Sequence, residues 1–305
     1  MGKLMNIPAD VPRSARRTYE KNLKKITYGS GKLFMFAGDQ RVEHLHKDFF
    51  GKGIAKEDAD PEHFFKIASQ AKIGCFASQL GFISRYGNKY PKIPYVVKLN
   101  SKTNIIPTTQ SDPLSGSWFD VKQVAQFKKQ SGLDIVGVGY TVYLGSEYEH
   151  IFLEEAAQAA HEAHKHGMVA IFWIYPRGRA VGDEKSEEVI AGATSVASAL
   201  GADFAKINMP VVKKKKSISA LNRAVAAGGT MNTICAGGSS VPVKAFLQEV
   251  HDQMHEGGTM GTAVGRNVHQ KPLKEAIAFC NAVHALVVEE KTVPQAMRIY
   301  NSEKK

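Results

Sequence analysis

Apolar runs of strand length alternate with amphipathic helix patterns along almost the whole chain. The runs begin near residues 33, 73, 95, 134, 168, 203, 231 and 258. Between them lie helix patterns, at about 121–130, 147–166, 186–200, 218–227, 242–255 and 273–288. Asp60-Pro61-Glu62 opens a further one with an acidic first turn, and Gly167 and Gly201 close two of the others as C-caps. Eight β/α units in roughly 250 residues, joined as right-handed crossovers, predict a closed (β/α)₈ TIM barrel over residues 31–292. The competing architecture is an open doubly wound sheet. No Gly-x-Gly-x-x-Gly follows the first strand, so a dinucleotide fold gains no support. Residues 1–30 read as a short N-terminal extension, helical over 14–25, and 293–305 as a basic C-terminal tail.

In the barrel reading, strand C-terminal ends converge on one mouth, and the polar residues there carry the chemistry. The sixth strand, Gly201-Ala202-Asp203-Phe204-Ala205-Lys206-Ile207-Asn208, sets a lysine among apolar neighbours. Burial penalises an ammonium, and one relief is deprotonation to a nucleophilic amine that can form a Schiff base. The competing reading is a lysine at the strand's end that snorkels to water. The first strand runs into Asp39, with His44 further along the same loop. Asp39 is a candidate to protonate or orient a substrate hydroxyl, or else an N-cap; His44 is a candidate for substrate oxygens, or a cap. Lys98 ends the third strand, where it would hold a phosphate, lower the pKa of Lys206 by like-charge repulsion, or pair with Asp39. Tyr175, two residues beyond Trp173 and just past the fifth strand, is a candidate proton shuttle or a half-buried aromatic with a satisfied hydroxyl.

The last two strands deliver Ala236-Gly237-Gly238-Ser239 and Gly265-Arg266-Asn267. Glycines there let backbone N–H groups approach an anion, and Arg266 can fork two phosphate oxygens. Otherwise they are tight turns that need glycine.

Composition changes little in this picture. The 305 residues are 43% apolar and 23% charged, an ordinary globular balance. No apolar run reaches membrane length and the start is polar and basic, so the expectation is a cytoplasmic protein with no membrane partner. Cys75, Cys235 and Cys280 lie far apart and read as reduced core thiols; no CxxC pair suggests zinc. His161 and His164 share a helical face, which reads as solvated rather than as a metal site. The net charge is +11, spread along the chain except for Lys213 to Lys216. That cluster has no interleaved aromatics, which argues against nucleic acid and for a mobile loop near an anion site.

Together these segments resemble a family. Gly38-Asp39-Gln40-Arg41-Val42-Glu43-His44, Val97-Lys98-Leu99-Asn100, Val138-Gly139-Tyr140-Thr141-Val142-Tyr143 and Trp173-Ile174-Tyr175-Pro176-Arg177-Gly178 occur in the same order as in that family. So do Ala202-Asp203-Phe204-Ala205-Lys206, Ala236-Gly237-Gly238 and Ala263-Val264-Gly265-Arg266-Asn267-Val268. The chain resembles the archaeal-type class I fructose-1,6-bisphosphate aldolases, in the superfamily of deoxyribose-phosphate aldolase. The resemblance implies a Schiff-base lyase that needs no metal and no cofactor and acts on a phosphorylated sugar. It puts the covalent lysine at Lys206, the acid/base tyrosine at Tyr175 and the first-strand aspartate at Asp39. It puts the first-strand histidine at His44, the tryptophan neighbour at Trp173, and the phosphate-binding turns at Gly237, Gly238, Gly265 and Arg266. It also implies a homo-oligomer, a decamer of pentamers. The chain departs from the family pattern at Gln40-Arg41, at Ala236 in place of a serine, and after Lys206. Those departures leave open a transaldolase-like synthase or thiolase acting on another phosphorylated keto compound. From another class, a non-catalytic basic anion-binding module stays open.

Overall fold

The computed structural model describes residues 7–44, 46–105 and 112–304, so parts of the basic start, of the Ser/Thr/Pro loop at 101–118 and of the tail lie outside the described residues. Eight parallel strands close on themselves. They are β1 (Leu33–Ala37), β2 (Cys75–Gln79), β3 (Tyr95–Lys98), β4 (Ile135–Leu144), β5 (Val169–Pro176), β6 (Phe204–Ile207), β9 (Asn232–Ala236) and β10 (Gly261–Val264). Their order around the barrel is β1-β10-β9-β6-β5-β4-β3-β2, so the (β/α)₈ architecture is the observed one. The two remaining strands, β7 (Val211–Val212) and β8 (Lys215–Lys216), form a small antiparallel hairpin. Its tip residues Lys213 and Lys214 both have left-handed φ, 49° and 64°. The lysine cluster is thus a hairpin rather than a mobile loop, and Lys216 pairs with Glu249 at 2.5 Å.

Helices α1 (Arg13–Ile26), α2 (Gln40–Glu43), α3 (Glu62–Gln70), α4 (Leu80–Tyr86), α5 (Val121–Ser131) and α6 (Glu149–Lys165) cover the first half. The second half carries α7 (Glu187–Ala199), α8 (Ile218–Ala227), α9 (Val243–His255), α10 (Arg266–His269), α11 (Leu273–Val287) and α12 (Val293–Glu303). The basic tail is largely this last helix, which buries Val293, Ala296 and Tyr300.

The extension is the barrel's floor. Helix α1 buries Ala15, Tyr19, Leu23 and Ile26 on one face, in one cluster with Met35, Cys75, Val96, Val169, Ile171 and Phe204 from inside the barrel. Polar contacts pin it to the strand entrances. Lys25 pairs with Asp134 at 2.7 Å, Asn22 donates to the Gly167 carbonyl at 2.7 Å, and Tyr19 donates to Asp203. His164 faces the same Asp203 at 3.2 Å and Asp10 at 2.8 Å, and is buried, so the expectation of a solvated histidine face is wrong for His164. The helix end that looked solvated by pattern lies against α1, whose position the pattern does not reveal.

With the floor shut, the open end is the one at the strand C-termini. Strand alternation sends Val96 and Lys98 on β3, Ile171, Trp173 and Tyr175 on β5, and Phe204 and Lys206 on β6 to the inside. Lys206 is in register with Trp173 on one side and Ile234 on the other.

Candidate active site

Two lysines enter the barrel, and their surroundings differ. Lys98 is fully buried, and its Nζ meets Thr141 Oγ1 at 2.6 Å, the Asn100 carbonyl at 2.8 Å and Glu43 Oε1 at 3.3 Å. Asp39 Oδ2 stands 4.0 Å away. The ion-pair reading of Lys98 therefore holds, with Glu43 nearer than Asp39. Lys206 is 7% exposed, and among the described residues its amine finds no hydrogen-bond acceptor and no carboxylate within ion-pair distance. Burial pushes its pKa down, while the Asp39 and Glu43 carboxylates pull the other way. Lys98 is not the cause that lowers it, because that charge is already spent on its own partners. A snorkelling lysine does not fit so small an exposure.

The indole of Trp173 lies between these amines in the wall. Lys98 Nζ is 5.1 Å and Lys206 Nζ 5.2 Å from its ring centroid, both within cation–π range. Gly139 makes room for it: a Cβ there would come within 2.5 Å of Trp173 Cζ3 and 3.4 Å of Lys98 Cδ. The buried indole Nε1 has no partner among the described residues.

Asp39 occupies the N-cap position of α2, yet its side chain caps nothing. It is 1% exposed, and neither carboxylate oxygen has a hydrogen-bond partner. A buried carboxylate without donors is costly unless a ligand supplies them, so the capping alternative is set aside. Gln79 holds the Asp39 carbonyl at 2.8 Å.

Tyr175 lies within β5, not beyond it, because β5 runs three residues further than the apolar pattern suggests. It is in register with Tyr143, one inward step past Trp173 toward the mouth. Burial, then Glu43 and Asp39, raise its pKa, and Arg177 opposes them. The Arg177 guanidinium sits 5.9 Å from the Tyr175 ring and 5.7 Å from that of Tyr143, held by Glu184 at 3.1 Å.

The two glycine turns stand side by side, with Gly237 N–H donating to the Ala263 carbonyl at 2.8 Å. Gly238 has φ +65°, and the N–H groups of Gly238, Ser239 and Ser240 have no acceptor among the described residues. Three successive amides without acceptors leave this turn with N–H donors to offer an anion. Asn267 shapes it, bonding the carbonyls of Gly237 at 3.2 Å and Ser239 at 3.0 Å and accepting from Val241 N–H at 2.9 Å. Arg266 has a buried Nε without a partner and an Nη1 3.8 Å from Asp48. Asp48 also holds His44 Nδ1 at 2.6 Å, so His44 and Arg266 meet through a carboxylate that sequence reading missed.

Sequence reading also gave no role to Glu43, Gln79, Asn100, Thr141 or Asn267. Asn100 binds the Thr141 carbonyl at 2.9 Å and accepts its N–H at 2.7 Å, fastening β3 to β4 beside Lys98. For Glu43, Asn100, Thr141 and Asn267 the only available signal was their place within the segments that carry the resemblance; Gln79 lies outside those segments.

A closed barrel with a buried lysine that lacks an ion-pair partner, a tyrosine nearer the mouth on the neighbouring strand and free amides at the turn after β9 has the groups that Schiff-base chemistry needs. Residues 33–271 match the model of the DeoC/LacD family aldolases, and the chain belongs to that family. It is therefore an aldolase, a lyase of carbon–carbon bonds. A Methanocaldococcus jannaschii protein described as fructose-bisphosphate aldolase/6-deoxy-5-ketofructose 1-phosphate synthase is 50% identical over 301 residues, 99% of this chain and 96% of that protein. A solved fructose-bisphosphate aldolase from Slackia heliotrinireducens superposes with a TM-score of 0.95 at 48% identity, covering 98% of this chain and 95% of that one. An archaeal fructose-1,6-bisphosphate aldolase, solved with its catalytic lysine covalently bound to a carbinolamine intermediate, gives 0.74 at 29% identity, covering 88% and 99%.

Proposed function

We propose that this chain cleaves fructose 1,6-bisphosphate to dihydroxyacetone phosphate and glyceraldehyde 3-phosphate, and runs the reverse condensation, through an iminium on Lys206. The observation that carries the reading is the contrast between the barrel's two lysines: Lys98 has its partners, Lys206 has none. An amine held below its ordinary pKa attacks C2 of the keto sugar, and loss of water from the carbinolamine, assisted by Asp39, leaves the iminium. When C3–C4 breaks, its electron pair moves to the iminium nitrogen as an enamine, and Tyr175 takes the proton of the C4 hydroxyl. The aldehyde leaves, C3 is reprotonated, and water releases the second product and restores the amine. Gly237, Gly238, Gly265 and Arg266 hold the C1 phosphate and aim C2 at Lys206. His44 faces the sugar oxygens, Lys98 holds Glu43 beside them, and Trp173 forms the wall behind the amine.

A second reading rests on the Methanocaldococcus jannaschii relative, whose description includes a synthase making 6-deoxy-5-ketofructose 1-phosphate. On that reading the same enamine is passed to a different carbonyl acceptor, and Lys206 keeps its role. We further read the working form as a homo-oligomer of the cytoplasm.

The test is kinetic. Wild type should cleave fructose 1,6-bisphosphate at an unchanged rate in EDTA. Lys206→Met should lose activity by more than about 10⁴-fold. Tyr175→Phe should lose about 10²–10⁴-fold in kcat while still forming the Schiff base. Full activity in Tyr175→Phe removes the proton-shuttle assignment; no cleavage by wild type favours the synthase.

A further inference from the structure

A chain of buried polar groups ends at one of the phosphate turns without being part of the chemistry above. Asp58 and His269 are both fully buried, and Asp58 Oδ2 lies 2.8 Å from His269 Nδ1. The other ring nitrogen of His269, Nε2, faces Gln40 Oε1 at 3.1 Å. The Gln40 amide lies on the Cα of Gly265: a Cβ there would fall 2.1 Å from Gln40 Oε1 and 2.4 Å from its Nε2. Gly265 is therefore bare because Gln40 covers it, and an anion seated at this turn meets that amide.

We propose that Gln40 is a further phosphate-binding residue, its amide N–H turned toward the Gly265 turn by His269, which Asp58 in turn holds. This rests on the reading that the C1 phosphate sits between the Gly237 and Gly265 turns. Burial, then Arg41, His44 and His63, push the pKa of His269 well below its ordinary value, so the ring carries one proton and donates from one nitrogen only. If Nε2–H donates to Gln40 Oε1, the Gln40 NH₂ is left for the phosphate, and Nδ1 must accept from Asp58. If Asp58 is ionised, Nδ1–H donates to it, Nε2 accepts from the Gln40 amide, and the carbonyl oxygen meets the phosphate instead. The protonation of Asp58 thus decides which end of Gln40 faces the anion. Burial, opposed by Arg41 and His63 and assisted by Asp48, pushes Asp58 up to about 7. Around the pair stand Arg41, His44, Asp48 and His63, with the ring of Phe64 stacked on His269 and that of Phe49 tilted against it. His63 Nε2 is turned away, to the carbonyls of His269 and Lys271.

The experiment is steady-state cleavage of fructose 1,6-bisphosphate by the full chain between about pH 6 and 9. Gln40→Met keeps the length but removes the donor, and should raise KM about 10-fold with kcat within about twofold. Wild-type KM should rise as pH passes through about 7. Asp58→Asn does not titrate and can donate its NH₂ to Nδ1, so its KM should stay flat over that range. The substrate phosphate also titrates near pH 6, but equally for every variant. A KM within twofold of wild type in Gln40→Met, or a wild-type pH profile in Asp58→Asn, overturns the inference. Ser239→Glu, at the exposed free amides, tests the underlying reading separately. If it raises KM and Gln40→Met does not, only the inference fails; if neither changes KM, the phosphate lies elsewhere and both fail.

Discussion

At the scale of single residues, the site depends on what is missing beside Lys206 as much as on what is present. Lys98 shows what a satisfied buried ammonium needs: two oxygens within 2.8 Å and a carboxylate at 3.3 Å. Lys206 has a ring and no acceptor, so its charged form is the one penalised. The acid limb of kcat/KM against pH should therefore report an amine below the ordinary lysine range; a limb near 10.5 would contradict this. Gly139 is the second dependency. In Gly139→Ala the new methyl meets Trp173 and Lys98 from below, so we expect about 1–3 kcal/mol lost in urea unfolding. The same variant should lower kcat by about tenfold or more, since the ring that flanks both amines must shift. Unchanged stability and kcat would show that the ring has room to spare. Sequence pattern made Lys206, Tyr175 and Asp39 candidates, because a charge or hydroxyl at a strand end stands out. It could not expose Glu43, Asn100, Thr141 or Asn267, whose roles come from partners about 30 to 60 residues away.

At the scale of elements, α1 has the clearest energetic task. Its amphipathic pattern was readable, but nothing in the pattern says which surface it covers, and that surface is the barrel's lower opening. Leu23→Ala should cost about 2–5 kcal/mol, measured by denaturant unfolding; a loss under 1 kcal/mol would mean the floor is not sealed there. The contact of α6 with Asp203, at the entrance to β6, and with Asp10 also carries a pH dependence. Burial alone would lower the pKa of His164, but hydrogen bonds and charge from Asp203, then Asp10, overcome it and raise it to about 9. Stability from this group is present in full below the unfolded value near 6.5 and is lost as pH rises through about 9. Wild type should thus lose on the order of 1–3 kcal/mol between those values, and His164→Gln should lose none of it. Parallel stability curves for the two proteins would contradict that origin. The hairpin β7–β8 was also illegible, because two lysines at left-handed φ stand where glycine or asparagine is the usual turn signal.

At the scale of the whole molecule, the closed barrel was legible from the repeat of strand and helix patterns, since eight units leave few ways to bury both faces of a parallel sheet. Which surfaces the two end segments cover was not, because α1 and α12 act through packing on distant elements. The net charge of +11 attracts polyanions such as a sugar bisphosphate. Raising salt from about 0.05 to 0.5 M should therefore lower kcat/KM for fructose 1,6-bisphosphate several-fold, with kcat little changed. The proposed reaction turns on one covalent event. Incubation with dihydroxyacetone phosphate and borohydride in EDTA, then peptide mass spectrometry, should find the reduced adduct on Lys206 and nowhere else. An adduct on Lys98, or no adduct on a folded protein, would contradict it.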